Sequence, residues 1–126
     1  MDARDARGRR LRVHKLPAPG PLYMTRREAA GLAPARRNIR PLRAGTRLAA
    51  SYVNLYHANG AVIMPLLDAH TDARACRELR RIFPRRRIVG VPAREVLLGG
   101  GDLHCITQQQ PARRHRRRDM HGVNRS

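Results

Sequence analysis

Residues 51–68 read SYVNLYHANGAVIMPLLD, and the fold turns on this stretch. At its centre, Asn59-Gly60 is the strongest two-residue hairpin signal, because both turn positions need a positive φ that these residue types tolerate. Before the turn, Tyr52, Val53, Leu55 and Tyr56 favour extended backbone, which predicts a strand over Ala49–His57. After it, Ala61–Leu67 (AVIMPLL) is apolar at successive positions, so this second strand should be buried on both faces. Asp68–Asp72 turns the chain, and Thr71 stands where it can cap a helix running from Asp72 to about Phe83. In that helix Ala75, Cys76, Leu79, Ile82 and Phe83 fall on one stripe, with Arg74, Arg77, Glu78, Arg80 and Arg81 facing outward. Pro84 closes it, and Ile88–Val91 predicts a third short buried strand. The expected order is strand, strand, helix, strand, and the chain holds no second copy of it.

Outward from this unit the pattern weakens. Residues 1–10 are polar and charged and read as a flexible N-terminus. Leu11–Leu16 (LRVHKL) alternates apolar with polar residues, which predicts a half-buried strand that Pro17, Pro19 and Pro21 stop. Thr25-x-x-Glu28 is a capping box opening a short helical turn that ends near Gly31. Residues 32–47, rich in proline and arginine, read as an exposed loop. Residues 92–110 read as loop, with a triple glycine at Gly99–Gly101 and a last strand at Leu103–Thr107. The tail at 113–126, with its RRHRRR block, reads as a solvated and disordered charge run.

At 126 residues the chain is one domain in size. Its aromatics are Tyr23, Tyr52, Tyr56 and Phe83, so the core must rely on aliphatic side chains. The balance of 27 basic to 9 acidic residues gives a formal charge of +18, and Lys15 is the sole lysine. Such a charge suits a polyanionic partner, but arginine with abundant alanine is also what a GC-rich coding sequence yields. The arginines are spread along the chain and the tail lacks interleaved aromatics, which argues against specific nucleic-acid binding. The best apolar run, Gly60–Leu67, is too short to span a bilayer and the N-terminus has no apolar signal region, so neither membrane nor secretion is expected. Two cysteines do not make a disulfide scaffold, and a reduced cytoplasmic setting is expected.

Cys105 is the first candidate for chemistry. It follows Gly99–Gly101 closely, and glycines let backbone approach a ligand or adopt positive φ. A thiolate there would be a nucleophile; the alternative is an inert buried cysteine. Cys76, on the apolar helix stripe, reads as inert. His104 would point to the opposite face of a strand from Cys105, which makes it a poor base for that thiol. His70, in Asp68-x-His70-x-Asp72, superficially offers metal ligands, but no further ligand completes a site, and a turn with helix-capping acids is the expectation. The triple glycine fits no phosphate-loop pattern.

Two stretches, SYVNLYHANGAVIMPLLD and RRIVGVPAREVLLGGGDLHCITQQQPA, closely resemble the C-terminal third of agmatine deiminases, in the bacterial-type peptidylarginine deiminase family of the guanidine-modifying, or pentein, superfamily. The segment DARGRRLRVHKLPAPGPLYMTRREAAGL is similar to the part just before it, so the resemblance covers about residues 5–112. It implies an α/β fold: the last ββαβ blade, with flanking segments, of a five-bladed propeller, occupying residues 11–112 between basic termini. It implies a hydrolase that converts agmatine to N-carbamoylputrescine and ammonia in polyamine synthesis, through an amidino-cysteine intermediate and without metal or organic cofactor. Carried over by position, Cys105 is the nucleophile, Gly100 and Gly101 line the substrate pocket with backbone groups, and Asn54 and Asn59 are structural. A homo-oligomer or a complementing chain is implied as partner.

The sequence also departs from the family. The acid–base histidine of a His-x-Asp element and the carboxylates that clamp the guanidinium have no counterpart here; Asp68 and Glu95 are not in those motifs. Asp102 replaces a more usual asparagine, His57 stands where an apolar residue is common, and the basic charge contrasts with an acidic family. The chain is therefore expected to be a gene fragment, a split subunit or the product of a misplaced start. The rival expectations are an inactive piece that binds polyanions nonspecifically, or specificity for peptidyl-arginine.

Overall fold

Asn59 and Gly60 reverse the chain, with Gly60 at φ 77°, and set two strands side by side. In this computed structural model, which describes residues 3–32 and 42–110, β1 (Tyr56–Ala58) pairs antiparallel with β2 (Ala61–Leu66) in the register Ala58 to Ala61 and Tyr56 to Ile63. Helix α2 (Asp72–Ile82) carries the chain back, and β3 (Arg87–Pro92) joins β2 in parallel, Val62 opposite Ile88 and Pro65 opposite Val91. The sheet order is β1-β2-β3, the mixed α/β arrangement expected from the hairpin and the helical stripe. Three short helical elements flank it: α1 (Arg26–Gly31), α3 (Arg94–Leu97) and a 3₁₀ turn at Leu103–Ile106. None of the helices among the described residues is long and apolar enough to cross a membrane.

The core has two parts. Tyr52, Leu55, Val62, Met64, Ala75 and Leu79 form the first, between sheet and α2, with Leu16, Cys76, Phe83 and Ile88 packed against it. Met24, Leu48, Leu97 and Leu98 form the second, under α1 and α3, and Leu67 touches both. The capping box of α1 forms as read: Glu28 N–H donates to Thr25 Oγ1 at 3.1 Å and Thr25 N–H to Glu28 Oε2 at 2.7 Å. Glu28 also meets Arg94, whose Nε lies 2.6 Å from Oε1 and whose Nη2 reaches the Tyr23 carbonyl at 2.9 Å. The Arg94 guanidinium and the Thr25 amide together hold the Glu28 carboxyl down to about 2. Residues otherwise far apart in sequence are tied across the second core.

Several sequence expectations are corrected. The first strand is Tyr56–Ala58 alone, not Ala49–His57. Tyr52 and Leu55 are buried at 1% and 7% while Val53 is 69% exposed, a spacing of three that marks a turn, closed by Asn54 N–H on the Ser51 carbonyl. Leu11–Leu16 is not a strand: Val13 is 85% exposed and Leu16 is the residue that reaches the core. Alternation builds a strand only where a sheet edge receives it, and here the preceding residues instead fold back on themselves, with Arg4 bridged to Arg10 and the Asp5 carboxylate accepting from Arg7 N–H and Arg9 N–H. Strand β3 is an edge, exposed or half-buried throughout, not buried. Leu103–Thr107 is a 3₁₀ turn rather than a strand, because Asp102 caps it and the Thr107 hydroxyl back-bonds to the Leu103 carbonyl. Thr71 does precede α2 but its hydroxyl makes no cap bond. Much of the expected loop at 32–47 and the whole 113–126 tail lie outside the described residues.

The Tyr52 phenol donates to Asp72 Oδ1 at 2.6 Å and lies 2.7 Å from the Thr71 hydroxyl. Burial, and then the bond to Asp72, push it from 10.0 to about 12. Removing this hydroxyl in Tyr52→Phe should cost about 1–2 kcal/mol in urea unfolding, since the Asp72 oxygen loses a donor inside the core. The folded phenol holds its proton where the unfolded one loses it, so wild-type stability should decline as the pH rises from 10.0 toward 12. That decline should be smaller in Tyr52→Phe, and an identical alkaline profile would contradict the assignment.

Candidate functional site

The site is a tight sequence of backbone reversals. After α3, the Gly99 amide bonds to the Val96 carbonyl and the Gly100 amide to the Leu97 carbonyl, and Gly100 takes φ 86°, a left-handed conformation that favours glycine. A β-carbon on Gly101 would stand 2.8 Å from Cys105 Cβ and 3.1 Å from its Sγ, so glycine is what allows the cysteine to fold back over this peptide. Asp102 follows, with no solvent exposure. Its Oδ1 accepts from Leu103 N–H at 2.7 Å, and its carbonyl accepts from Cys105 N–H at 2.8 Å, which closes the 3₁₀ turn.

Cys105 is exposed at the end of this turn, and Cys76 is half-buried beside the first core. The Asn54 carboxamide, 51 residues earlier in the chain, reaches Cys105: Nδ2 donates to Sγ at 3.5 Å, and Oδ1 accepts from His104 N–H at 2.8 Å. The Asn54 bond, followed by backbone hydrogen bonding at Asp102, lowers the thiol from its ordinary value. Alongside lies an open cleft of about 330 Å³ lined by Ser51, Val53, Asn54 and His104. Further along, Gln109 Nε2 bonds to the His57 carbonyl at 3.1 Å and straps the following segment to β1.

Asp102 is the anomaly. Its Oδ2 is buried without a hydrogen-bond partner, and burial raises its carboxyl above the usual range, opposed by the Leu103 N–H. A neutral carboxamide would not carry this cost of burying charge.

The structure thus brings together Cys105, Gly101 and, through the shared turn, Gly100, Asp102 and His104. It leaves Cys76 and His70 elsewhere. The acids around His70 cap a turn: Asp68 Oδ1 accepts from His70 N–H at 3.0 Å, and Asp72 Oδ1 accepts from the Leu67 and Asp68 amides. Among the described residues no group of three His, Cys, Asp or Glu side chains could hold a metal ion. Asn54, read from the sequence as structural, makes side-chain contact with Cys105. The sole signal was its place in the SYVN stretch, because 51 residues separate it from the cysteine.

An exposed cysteine on a glycine-bounded turn, with its thiol eased toward the thiolate, defines a candidate nucleophile site. The family model for Porphyromonas-type peptidyl-arginine deiminases matches residues 1–111, and the chain belongs to that family. Two similar proteins carry the name "putative agmatine deiminase": one from Shewanella sp. (strain MR-4), 54% identical over 108 residues, covering 86% of this chain, and a solved X-ray structure, 39% identical with a TM-score of 0.76 over 88% of this chain and 30% of the other. The agmatine deiminase of Enterococcus faecalis is similar with a TM-score of 0.69 and 35% identity, over 86% of this chain and 29% of that one. The chain spans 29% of the length of the Shewanella relative.

Two outcomes check this geometry. In the folded protein at neutral pH, iodoacetamide should alkylate Cys105 before Cys76, as read by mass spectrometry, with Cys76 catching up only in denaturant. Labelling of Cys76 first would contradict the packing of α2. Asp102→Asn should stabilise the fold by about 1–3 kcal/mol at pH 7. Because burial raises the carboxyl, the folded state keeps the proton to a higher pH than the unfolded chain does, so the wild-type penalty is absent below the unfolded carboxylate range and grows as the pH rises through it. The advantage of the variant, followed by urea denaturation, should therefore shrink in acid.

Proposed function

We propose that this chain is the nucleophile-bearing part of an agmatine deiminase, a hydrolase of the C–N bond in a linear amidine. The observation that carries the proposal is the Cys105 thiol, exposed, seated on a turn that tolerates no side chain at Gly101, and lowered by hydrogen bonds. Family membership and the agmatine deiminases that match it support this reading.

In this reading the Cys105 thiolate attacks the guanidinium carbon of agmatine. A C–S bond forms, the C=N π pair moves to nitrogen, and the tetrahedral adduct expels one terminal nitrogen as ammonia after taking a proton. The S-amidino cysteine that remains is attacked by water, which gives up its two protons, one replacing the proton used in the first step and one going to the released ammonia, as its oxygen becomes the carbonyl; the C–S pair returns to sulfur as thiolate, and N-carbamoylputrescine leaves. A cationic substrate beside the thiol favours the thiolate further. Gly100 and Gly101, with no side chains, leave backbone groups facing the substrate. The chemistry needs no metal or organic cofactor.

The same reading makes the three-stranded sheet and α2 the ββαβ blade of a pentein propeller, puts the activity in polyamine synthesis in the cytoplasm, and treats the chain as a truncated form. Substrate positioning and acid–base groups come from the parts of the fold that this chain does not span, as separate residues of the same protein or as a complementing chain. Each such contribution is worth orders of magnitude in rate.

A chimera tests it. Residues 5–112 would replace the matching C-terminal segment of the Enterococcus faecalis enzyme, and release of ammonia and N-carbamoylputrescine would be followed. The folded chimera should turn over agmatine and lose about 1,000-fold or more in kcat on Cys105→Ala. The chain by itself should show no turnover above background. A folded chimera that is inactive, or whose activity survives Cys105→Ala, would overturn the proposal.

A further inference from the structure

We propose that the outer face of α2 and the turn that follows it bind the phosphate backbone of double-stranded nucleic acid, without regard to base sequence. Nothing in this depends on the reading of Cys105.

Between Arg74 and Arg87 the chain carries seven arginines and one acidic residue, Glu78. All seven arginines are exposed. With about 3.6 residues per turn, Arg74, Arg77, Arg80 and Arg81 share one arc of α2, away from Ala75, Cys76 and Leu79, which sit in or against the first core. Arg85–Arg87 extend the strip. Arg86 N–H closes the turn on the Phe83 carbonyl, and its guanidinium donates to the Ala58 carbonyl at 3.0 Å, beside the hairpin. Glu78 pairs with Arg81 at 3.1 Å. Among the described residues, Arg74, Arg77, Arg80, Arg85 and Arg87 have no ion pair. Other acids are committed elsewhere: Asp5 to Arg9, Glu28 to Arg94, and Asp68 and Asp72 to amides of the turn before α2.

Helix stability does not account for this arrangement. Arg80 and Arg81 in the last turn suit the helix dipole, but Arg74 stands in the first turn, where a cation is disfavoured. Arg77 lies three or four residues from Arg74, Arg80 and Arg81, and like charges at that spacing weaken a helix. An anion from outside relieves both costs.

The chemistry of the face selects among polyanions. Guanidinium groups bond phosphate oxygens in pairs through a planar fork. Arg74 and Arg81 stand about 10 Å apart along the helix axis, a length over which a duplex presents about six phosphate charges. An anionic membrane requires apolar side chains free beside the cations, whereas Leu79 and Phe83 of this segment are used by the core. Single strands require exposed aromatics on which bases stack, and Phe83 is the one aromatic within 72–87. With no Asn or Gln there either, the contacts go to the backbone, which positions without reading sequence.

Two variants of the full chain with equal charge change test the assignment. Arg74→Gln/Arg77→Gln/Arg80→Gln strips the helix with a good helix former, and Arg116→Gln/Arg117→Gln/Arg118→Gln strips the C-terminal block. Anisotropy of a labelled duplex of about 20 base pairs would be followed from about 50 to 200 mM salt, with circular-dichroism melting as the folding control. The helix variant should bind about tenfold or more weakly, and the slope of log affinity on log salt should fall by about two to three. The C-terminal variant should lose less than about threefold. Equal losses would make binding a matter of net charge alone and overturn the proposal. So would an unaltered helix variant, a wild type that does not bind the duplex, or tighter wild-type binding to phosphatidylserine vesicles or polyglutamate at the same salt. If the helix variant does not fold, Arg85→Gln/Arg87→Gln is compared with Arg117→Gln/Arg118→Gln, and the same order is expected.

Discussion

One carboxylate oxygen joins the parts of this fold. Asp72 Oδ1 accepts from the Tyr52 hydroxyl at 2.6 Å, the Leu67 amide at 2.9 Å and the Asp68 amide at 3.1 Å. The first partner belongs to the turn that leads into β1, the second and third to the chain leaving β2, and Asp72 itself opens α2. A carboxylate at a helix start is favoured by the aligned peptide dipoles as well as by its donors. Asp68 continues the junction, taking the Gly20 amide at 3.1 Å and the Thr71 hydroxyl at 2.9 Å, and these donors hold its carboxyl below the usual range. The junction fixes the turn at Ser51–Asn54, and through Asn54 that turn reaches the cysteine. A polar network at one end of the helix thereby governs geometry at the opposite end of the sequence.

The hairpin, α2 and β3 were legible in the sequence because each is a local pattern. Asn59-Gly60 specifies its own turn, α2 carries a stripe at helical spacing with Pro84 behind it, and β3 sits where the chain must return. The Thr25–Glu28 capping box was legible for the same reason. What the sequence did not reveal depends on partners distant along the chain. Tyr52 has strand propensity, but its hydroxyl is drawn to Asp72 some 20 residues on, and the backbone turns to deliver it. Leu103–Thr107 looks extended until Asp102 and Thr107 bind the intervening backbone at both ends.

The candidate site divides along the same line. Cys105 was recognisable from the glycine run beside it and from the resemblance those residues carry. The need for glycine at 101 in particular, and the amide of Asn54, emerge only when the chain is folded, since neither involves residues that sequence periodicity relates. Asp102 lies between these cases: the resemblance marks it as unusual, and its buried, unpartnered oxygen gives the physical content of that departure.

Pro65 lies in the middle strand of the sheet, where proline is seldom found, yet β1 pairs only with Ala61–Ile63. From Met64 onward β2 has one hydrogen-bonded strand neighbour, β3, and among the described residues no strand pairs with its other side. An unpaired strand backbone carrying Met64 and Leu66 is the kind of sequence that recruits a strand from another molecule and seeds aggregates. Proline interrupts that pairing by removing a donor from the row an incoming strand would have to match. The short β1 and the proline beyond its end therefore act together: the hairpin stops early, and the unpaired backbone of the remainder of β2 is made a poor template.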